Sequence, residues 1–525
     1  MMSLSTGAAV LVALLVGAAG ALYAYFTRHF GYWRRRGVPY LRPLPVAGNL
    51  KDVLLFRKPF GVVLRDVYTQ MKDQPYVGMF FFDQPVLFVK DIELWKTIVI
   101  KDCDHFEDRG FAPLQSVGIF SETLFGTKGK KWKQLRTKLS PAFTLGKIRK
   151  FYILLEQKAA NFDHYFDDVV KSGAPCDVAN ACARYTMDAI ATVGFGIETT
   201  ALTDDNDPLH RLLRKIFVYS KIFTLVSVAT FVDVPLLHLL KVSLVPAPLT
   251  DFLRHNVWAA ARERLSRGSQ GERGDFLDLL LELRDKGRIA VHDDDDDDGD
   301  AKAAPDTSAA IYMDGDVLVA QAFSILAAGF DTTSTTMSYA LYELAMNEDI
   351  QEQLRTQLQE TMQKHDGKLT YEALQSVDYL DMIFSETLRK YPVLPFLDRT
   401  CTKTYRVPGT DIVLDKGVFA FTSILGIQRD PQYFPEPERF DPERFSDANR
   451  RNIPSCCFMP FGEGPHKCVG LRLGYLQGKL GIAHIILNYR VHPCASTPAK
   501  MEFNLHSFLI SPRDGVPLKF TRVTK

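Results

Sequence analysis

A net charge of +1 over 525 residues leaves no electrostatic surplus for nucleic acid, so no such partner is expected. Hydrophobic content of 46% with 24% charged residues describes an ordinary globular interior with ample core. Eight cysteines (103, 176, 182, 401, 456, 457, 468, 494) show no regular pairing, which excludes a disulfide framework and fits a reducing compartment. The lack of any Asn-x-Ser/Thr site agrees with a cytosolic face.

Gly7 to Phe26 carries no charge and is long enough to cross a bilayer as a helix. Arg28, Arg34, Arg35 and Arg36 follow it and no charge precedes it, so the rest of the chain is expected in the cytosol. A cleaved signal peptide would be shorter with its basic residues in front, and a mitochondrial presequence would be Arg-rich from the start. The expected organisation is an anchor over 1–27, a basic, Pro-rich hinge over 28–49 and a catalytic domain over 50–525. Pro39, Pro43 and Pro45 exclude helix from the hinge and stiffen it.

Tyr76 to Phe82 and Val86 to Lys90 are β-rich runs around Asp83-Gln84-Pro85, the pattern of a hairpin. Phe106 to Phe125 is irregular and aromatic. Within Lys128 to Leu139, Trp132 and Arg136 stand at i, i+4 on one helix face, two donors suited to a buried carboxylate. Lys128, Lys130, Lys131, Lys133 and Lys138 make that segment basic, either as a solvated face or as a docking surface. Residues 150–285 read as helices, with an apolar run from Ile216 to Leu249 that is either buried or dipped into lipid. Asp293 to Asp298 and Asp300 make about 287–308 a flexible acidic loop without a catalytic role.

Asp314 to about Asn347 predicts a proline-free helix some 50 Å long, which must run through the molecule. At its middle stands Ala328-Gly329-Phe330-Asp331-Thr332-Thr333. Ala328 and Gly329 leave room for a ligand against the backbone, Thr332 offers a hydroxyl and Asp331 can accept and return protons. A small-residue helix crossing with back-bonded threonines is the competing reading. Glu-x-x-Arg occurs at Glu352/Arg355, Glu386/Arg389 and Glu436/Arg439, and sets an acid and a base on one helix face each time. Tyr405 to Phe421 reads as hairpins, and Leu505 to Ile510 as a late strand.

Near the end, Cys457-Phe458-Met459-Pro460 leads into Phe461-Gly462-Glu463-Gly464-Pro465-His466-Lys467-Cys468-Val469-Gly470, and a helical pattern leaves it at Leu471. Gly462, Gly464 and Gly470 allow positive φ and close approach to a flat ligand. Cys468 then falls at a helix mouth, where free N–H groups and the dipole favour a thiolate, as a metal ligand or a nucleophile. The pattern Phe-x-x-Gly-x-x-x-Cys-x-Gly resembles the haem-binding loop of the cytochrome P-450 family, the haem-thiolate monooxygenases. The likeness extends over nearly the whole chain and is strongest to insect microsomal members.

The resemblance implies a mainly α fold with a smaller β-rich lobe, enclosing haem b between the long helix and the cysteine loop. Cys468 would be the axial ligand of the iron, with Phe461 near its sulfur and Gly464 and Gly470 shaping the loop. Trp132, Arg136, Arg399 and His466, which stands where the family most often has arginine, would meet the haem propionates; Arg109 would either join them or lie on the surface. Asp331 and Thr332 would relay protons for dioxygen cleavage, with Ala328 and Gly329 against the haem. Glu386, Arg389 and Arg444 would form an ion-pair network behind the cysteine loop, leaving the other two Glu-x-x-Arg pairs as solvated charges. Phe125, Phe330, Val393, Leu394, Phe396 and Leu505 would line the substrate pocket. The implied reaction inserts one oxygen atom of O2 into a lipophilic molecule. Its electrons would come from an NADPH-cytochrome P-450 reductase, aided by cytochrome b5, at the endoplasmic reticulum membrane. A haem-thiolate isomerase or dehydratase and a haem sensor or carrier are the alternatives, and the acid–threonine pair argues against both.

Overall fold

The computed structural model describes residues 2–71, 74–110, 118–204, 206–217, 221–229, 243, 245–268, 273–285, 313 and 315–523. The acidic loop lies outside these residues, as do most of the apolar run after Ile216 and the middle of the aromatic stretch 106–125. Helix α1, Met2–Thr27, leaves Val10, Leu14, Leu15 and Leu22 more than half exposed. A helix that is apolar all round and unburied needs lipid, and α1 anchors the chain in a membrane.

The stretch expected as a hinge is fastened to the body. Trp33 is fully buried, its indole lies where a Cβ on Gly78 would stand, and its Nε1 donates to the Met79 carbonyl at 3.0 Å. Arg28 donates to Asp83 at 2.8 Å, and Arg36 to the Val413 carbonyl at 2.9 Å. The anchor therefore leaves the sheet at a fixed point.

Strands β1 (Tyr76–Phe81) and β2 (Gln84–Val89) form the expected hairpin, closed by Phe82-Asp83 with Phe82 at φ +55°. Further along the chain, β3 (Phe396–Thr400) pairs antiparallel with β4 (Phe419–Ser423), and β4 pairs parallel with β2, giving the order β1-β2-β4-β3. Tyr405–Arg406 pairs with Val413–Leu414 as one hairpin between β3 and β4. Phe396 is expected in the substrate pocket, yet it is 4% exposed and packs on Phe60, Phe421 and Phe508. The alternation of β3 turns it into the aromatic core of the lobe. Leu505 to Ile510 forms turns and bends in place of a strand, flanked by the single bridge Phe503–Pro512, and Leu505 is half-buried.

The helical part is built from α2 (Gly129–Leu139), α3 (Val178–Phe195), α4 (Gly315–Met346), α5 (Glu348–Lys364), α6 (Asp378–Lys390) and α7 (Leu471–Asn488), with further helices around them. Helix α4 is the predicted long helix, 32 residues and about 48 Å. It is apolar enough to span a bilayer but is mostly buried, so it forms the core that the other helices wrap. Arg355 on α5 is buried, donating to the carbonyls of Ile486 at 2.8 Å and Tyr489 at 2.9 Å besides Glu352. It thus satisfies carbonyls at the end of α7 and is no solvated charge. Glu436 and Arg439 are exposed at 3.7 Å, as expected.

Candidate active site

The loop before α7 is held by its own backbone. The Cys468 N–H donates to the Phe461 carbonyl at 2.8 Å, Gly462 to Met459 at 3.0 Å and Lys467 to Gly464 at 3.0 Å. Gly462 and Gly464 take φ of +73° and +71°, whereas Gly470, the residue before α7, has φ −85° and needs no left-handed backbone. A Cβ on Gly464 would run into the Val99 carbonyl, so this glycine admits a neighbouring backbone and does not serve a ligand. Among the eight cysteines only Cys468 is exposed. Burial pushes its thiol up, against the opposing pull of the Gly470 N–H, Arg136 and Arg109.

Three arginines converge beside this loop. Arg399 on β3 is 2% exposed and donates to the carbonyls of Asp398 at 2.7 Å and Glu463 at 3.3 Å. Burial and the neighbouring Arg109 lower it to about 10. Arg136 on α2 donates to the Lys467 carbonyl at 2.5 Å, and Arg109 to the His466 carbonyl at 3.4 Å while lying 4.3 Å above the Phe125 ring. Both are lowered by burial. None of the three is within ion-pair distance of a carboxylate among the described residues. Trp132, one turn before Arg136, stacks on His466 with ring centroids 3.8 Å apart. The imidazole is expected to donate to a propionate with a pH-dependent charge. Burial and the three arginines lower it to about 2, its Nε2 lies 2.8 Å from the Glu107 carbonyl, and its buried Nδ1 has no hydrogen-bond partner among the described residues.

The opposite wall is α4. Ala328 is exposed and Asp331 and Thr332 half-buried, whereas Phe330 and Thr333 are buried, so positions i, i+3 and i+4 form one stripe turned away from the core. Thr332 Oγ1 donates to the Ala328 carbonyl at 2.5 Å, and α4 stays unbroken there. A Cβ on Gly329 would stand 2.7 Å from Ile190 Cδ1, so this glycine serves the crossing with α3 and does not face the stripe. Phe330, expected in the pocket, is 3% exposed, and its carbonyl accepts from Thr186 at 3.1 Å. Thr333 Oγ1 and Phe461 Cε1 each lie 3.9 Å from where a Cβ on Gly474 would be, which joins the middle of α4 to the first turn of α7. Phe461 itself packs on Tyr475 at 5.4 Å. Val393 is buried and Leu394 half-buried; Phe125 is exposed.

Behind the loop, Arg389 binds Glu386 through two bonds of 2.6 and 2.8 Å, with both side chains fully buried. The Asp441 N–H adds a bond at 2.9 Å, and Arg444 stands 3.5 Å from the same carboxylate. Burial pushes the Glu386 carboxyl up, and Arg389 pulls it back. Gln428, which carries no signal in the sequence, is the missing link. It accepts from the Met459 N–H at 3.1 Å and donates to the Leu388 and Arg389 carbonyls at 2.9 and 3.0 Å. A neutral amide thereby transmits the position of α6 to the cysteine loop.

These residues fit a haem. Cys468 is exposed, and half-buried Arg109 and Arg136 converge beside it with buried Arg399, none of them in an ion pair with a carboxylate among the described residues, an arrangement that two haem carboxylates would complete. Among the described residues no three His, Cys, Asp or Glu side chains cluster as a metal site. A family model described as Cytochrome P450 matches residues 38–518. Cytochrome P450 6k1 of Blattella germanica is 39% identical over 98% of this chain and 97% of its own length, and cytochrome P450 6j1 of the same organism is 38% identical over 97% of each. Probable cytochrome P450 6a14 of Drosophila melanogaster is 34% identical over 98% of this chain and 99% of its own.

Proposed function

The chain belongs to the cytochrome P450 family, and on that premise we propose that Cys468 holds the haem iron while Arg109, Arg136 and Arg399 meet the haem carboxylates. The protein is a haem-dependent monooxygenase that takes O2, a substrate and electrons from a redox partner. Haem, when bound, supplies the oxygen-activating and electron-transfer chemistry that no side chain here possesses. The observation that carries the assignment is an exposed cysteine beside three arginines, none of them in an ion pair with a carboxylate among the described residues.

Thr332 and Asp331 are assigned the proton traffic. Thr332 Oγ1 parks its hydrogen on the Ala328 carbonyl, and rotation about χ1 turns the hydroxyl toward the cleft. The Asp331 carboxylate, one residue earlier on the same stripe, accepts and returns protons. This pair favours oxygen insertion over isomerisation, dehydration or simple haem carriage. Thr332→Ala is expected to keep its haem and to divert about ten-fold more of its NADPH into peroxide, read as the ratio of peroxide to product.

The redox partner we assign is a membrane-bound NADPH-dependent flavoprotein reductase, with cytochrome b5 as a second donor. The membrane is that of the endoplasmic reticulum. The substrate class is a lipophilic xenobiotic or an endogenous lipid or hormone. The absorption spectrum of reduced, carbon monoxide-treated protein tests the assignment at its root. A strongly red-shifted Soret band in the wild type that is lost in Cys468→Ser supports it; identical spectra in the two would overturn it.

A further inference from the structure

One imidazole ties three separate parts of the site together. His466 in the cysteine loop stacks on Trp132 of α2, 3.8 Å between centroids with 20° between planes. Its Nε2 lies 2.8 Å from the carbonyl oxygen of Glu107, and its own carbonyl accepts from Arg109 at 3.4 Å. A carbonyl oxygen has no proton to give, so Nε2 carries the hydrogen and donates it. Nδ1 is buried and has no hydrogen-bond partner among the described residues. The ring is the piece around which Trp132, Glu107 and Arg109 are arranged.

The segment it holds is otherwise tied down from β3. The Gly110 N–H donates to Asp398, the Thr400 N–H donates to the Asp108 carbonyl at 2.8 Å and Thr400 Oγ1 donates to the Arg109 carbonyl at 3.0 Å. These bonds fix residues 108–110 to the sheet. Only the His466 contacts fix Glu107 and Arg109 to the cysteine loop among the described residues.

We propose that His466 is a positioning residue: its ring clamps Trp132 and its Nε2–H holds Glu107, which delivers Arg109 over the haem site. The proposal rests on the reading that haem occupies the site at Cys468. It predicts that the ring's stacking face and its Nε2–H donor set the position of residues 106–110.

Full-length holoenzyme is compared with His466→Phe, which keeps a stacking ring and deletes the donor, and His466→Gln, which restores a donor and deletes the ring. The readouts are the rate of haem transfer to excess apomyoglobin and amide exchange over residues 106–110. The carbon monoxide spectrum reports thiolate ligation throughout. Expected are about ten-fold faster haem transfer and faster exchange in His466→Phe, with most of both recovered in His466→Gln and the red-shifted band kept. If His466→Phe retains no haem, exchange on the haem-free chains makes the same comparison, because the contacts exist without haem. Wild-type rates in His466→Phe, or no recovery in His466→Gln, would overturn the proposal. So would a His466→Arg variant that holds haem more tightly while 106–110 exchanges faster, since charge would then outweigh positioning. A wild type without the red-shifted band removes the haem-thiolate reading itself and the proposal with it.

Discussion

Arg389 and Arg399 are buried to the same degree, 0% and 2% exposed, but the protein treats their charges in opposite ways. Arg389 meets Glu386 in a bidentate pair, and its remaining N–H groups reach the carbonyls of Gln428 and Arg439. Arg399 hydrogen-bonds only carbonyls, with Arg109 as a like-charged neighbour and the Asp398 carboxylate acting from outside ion-pair distance. A buried guanidinium cannot shed its proton at physiological pH, so an unpaired one costs stability until a ligand neutralises it. The paired arginine belongs to the scaffold, and the unpaired one is a binding group held at the expense of the haem-free fold.

The contrast is sharpest when the paired side is broken. Arg389→Ala leaves Glu386 as a buried carboxylate with Arg444 as its remaining cation at 3.5 Å, and it frees the Gln428 carbonyl. Removing one partner of such a pair costs about 3–5 kcal/mol. The variant is expected to lose stability with or without haem and to purify with little haem, measured by denaturant midpoint and haem content. Normal haem content would show that the network does not hold the cysteine loop.

The unpaired side should respond with two signs. Arg399→Gln removes a charge whose desolvation the Asp398 carboxylate, outside ion-pair distance, repays only in part, so the haem-free chain should gain roughly 1–2 kcal/mol in denaturant unfolding. The same variant should release haem about ten-fold faster, because a charge-assisted contact to a carboxylate is lost. If haem-free Arg399→Gln were destabilised like Arg389→Ala, the distinction between scaffold and binding arginines would collapse.

That distinction was only half legible in the sequence. The Cys468 loop, the long helix and the hairpin follow from pattern, because glycine, proline and hydrophobic period act locally. Which Glu-x-x-Arg pair is buried is a tertiary matter: Arg355 reads like a surface charge but caps the end of α7. Gly329 shows the same limit, since a small residue makes room equally for a haem or for Ile190. Phe396 reads as pocket lining by its position after α6, whereas strand alternation turns it into the core. Gln428 had no signal at all, because an amide that links two backbones looks like any polar residue until the chain is folded. The stiff connector hid its docking because Trp33 and Arg36 find partners 46 and 377 residues away.

A histidine shows why arginine is the special case. His484 on α7 is half-buried, with its Nε2 buried and without a hydrogen-bond partner among the described residues. Burial lowers it to about 4, so it accepts its environment by staying neutral. The sign follows from linkage. The unfolded chain takes up the proton below about pH 6.5 while the folded chain refuses it until about 4, so stability falls as pH drops through that window. His484→Leu should leave stability at pH 7 nearly unchanged and reduce the loss between pH 7 and about 5.5 by roughly 1 kcal/mol, read from denaturant midpoints at the two pH values. An unchanged acid sensitivity would mean that the ring is already charged, and hence paired, in the folded chain. Arginine has no such exit, and the chain can keep Arg399 buried and charged only in return for a ligand.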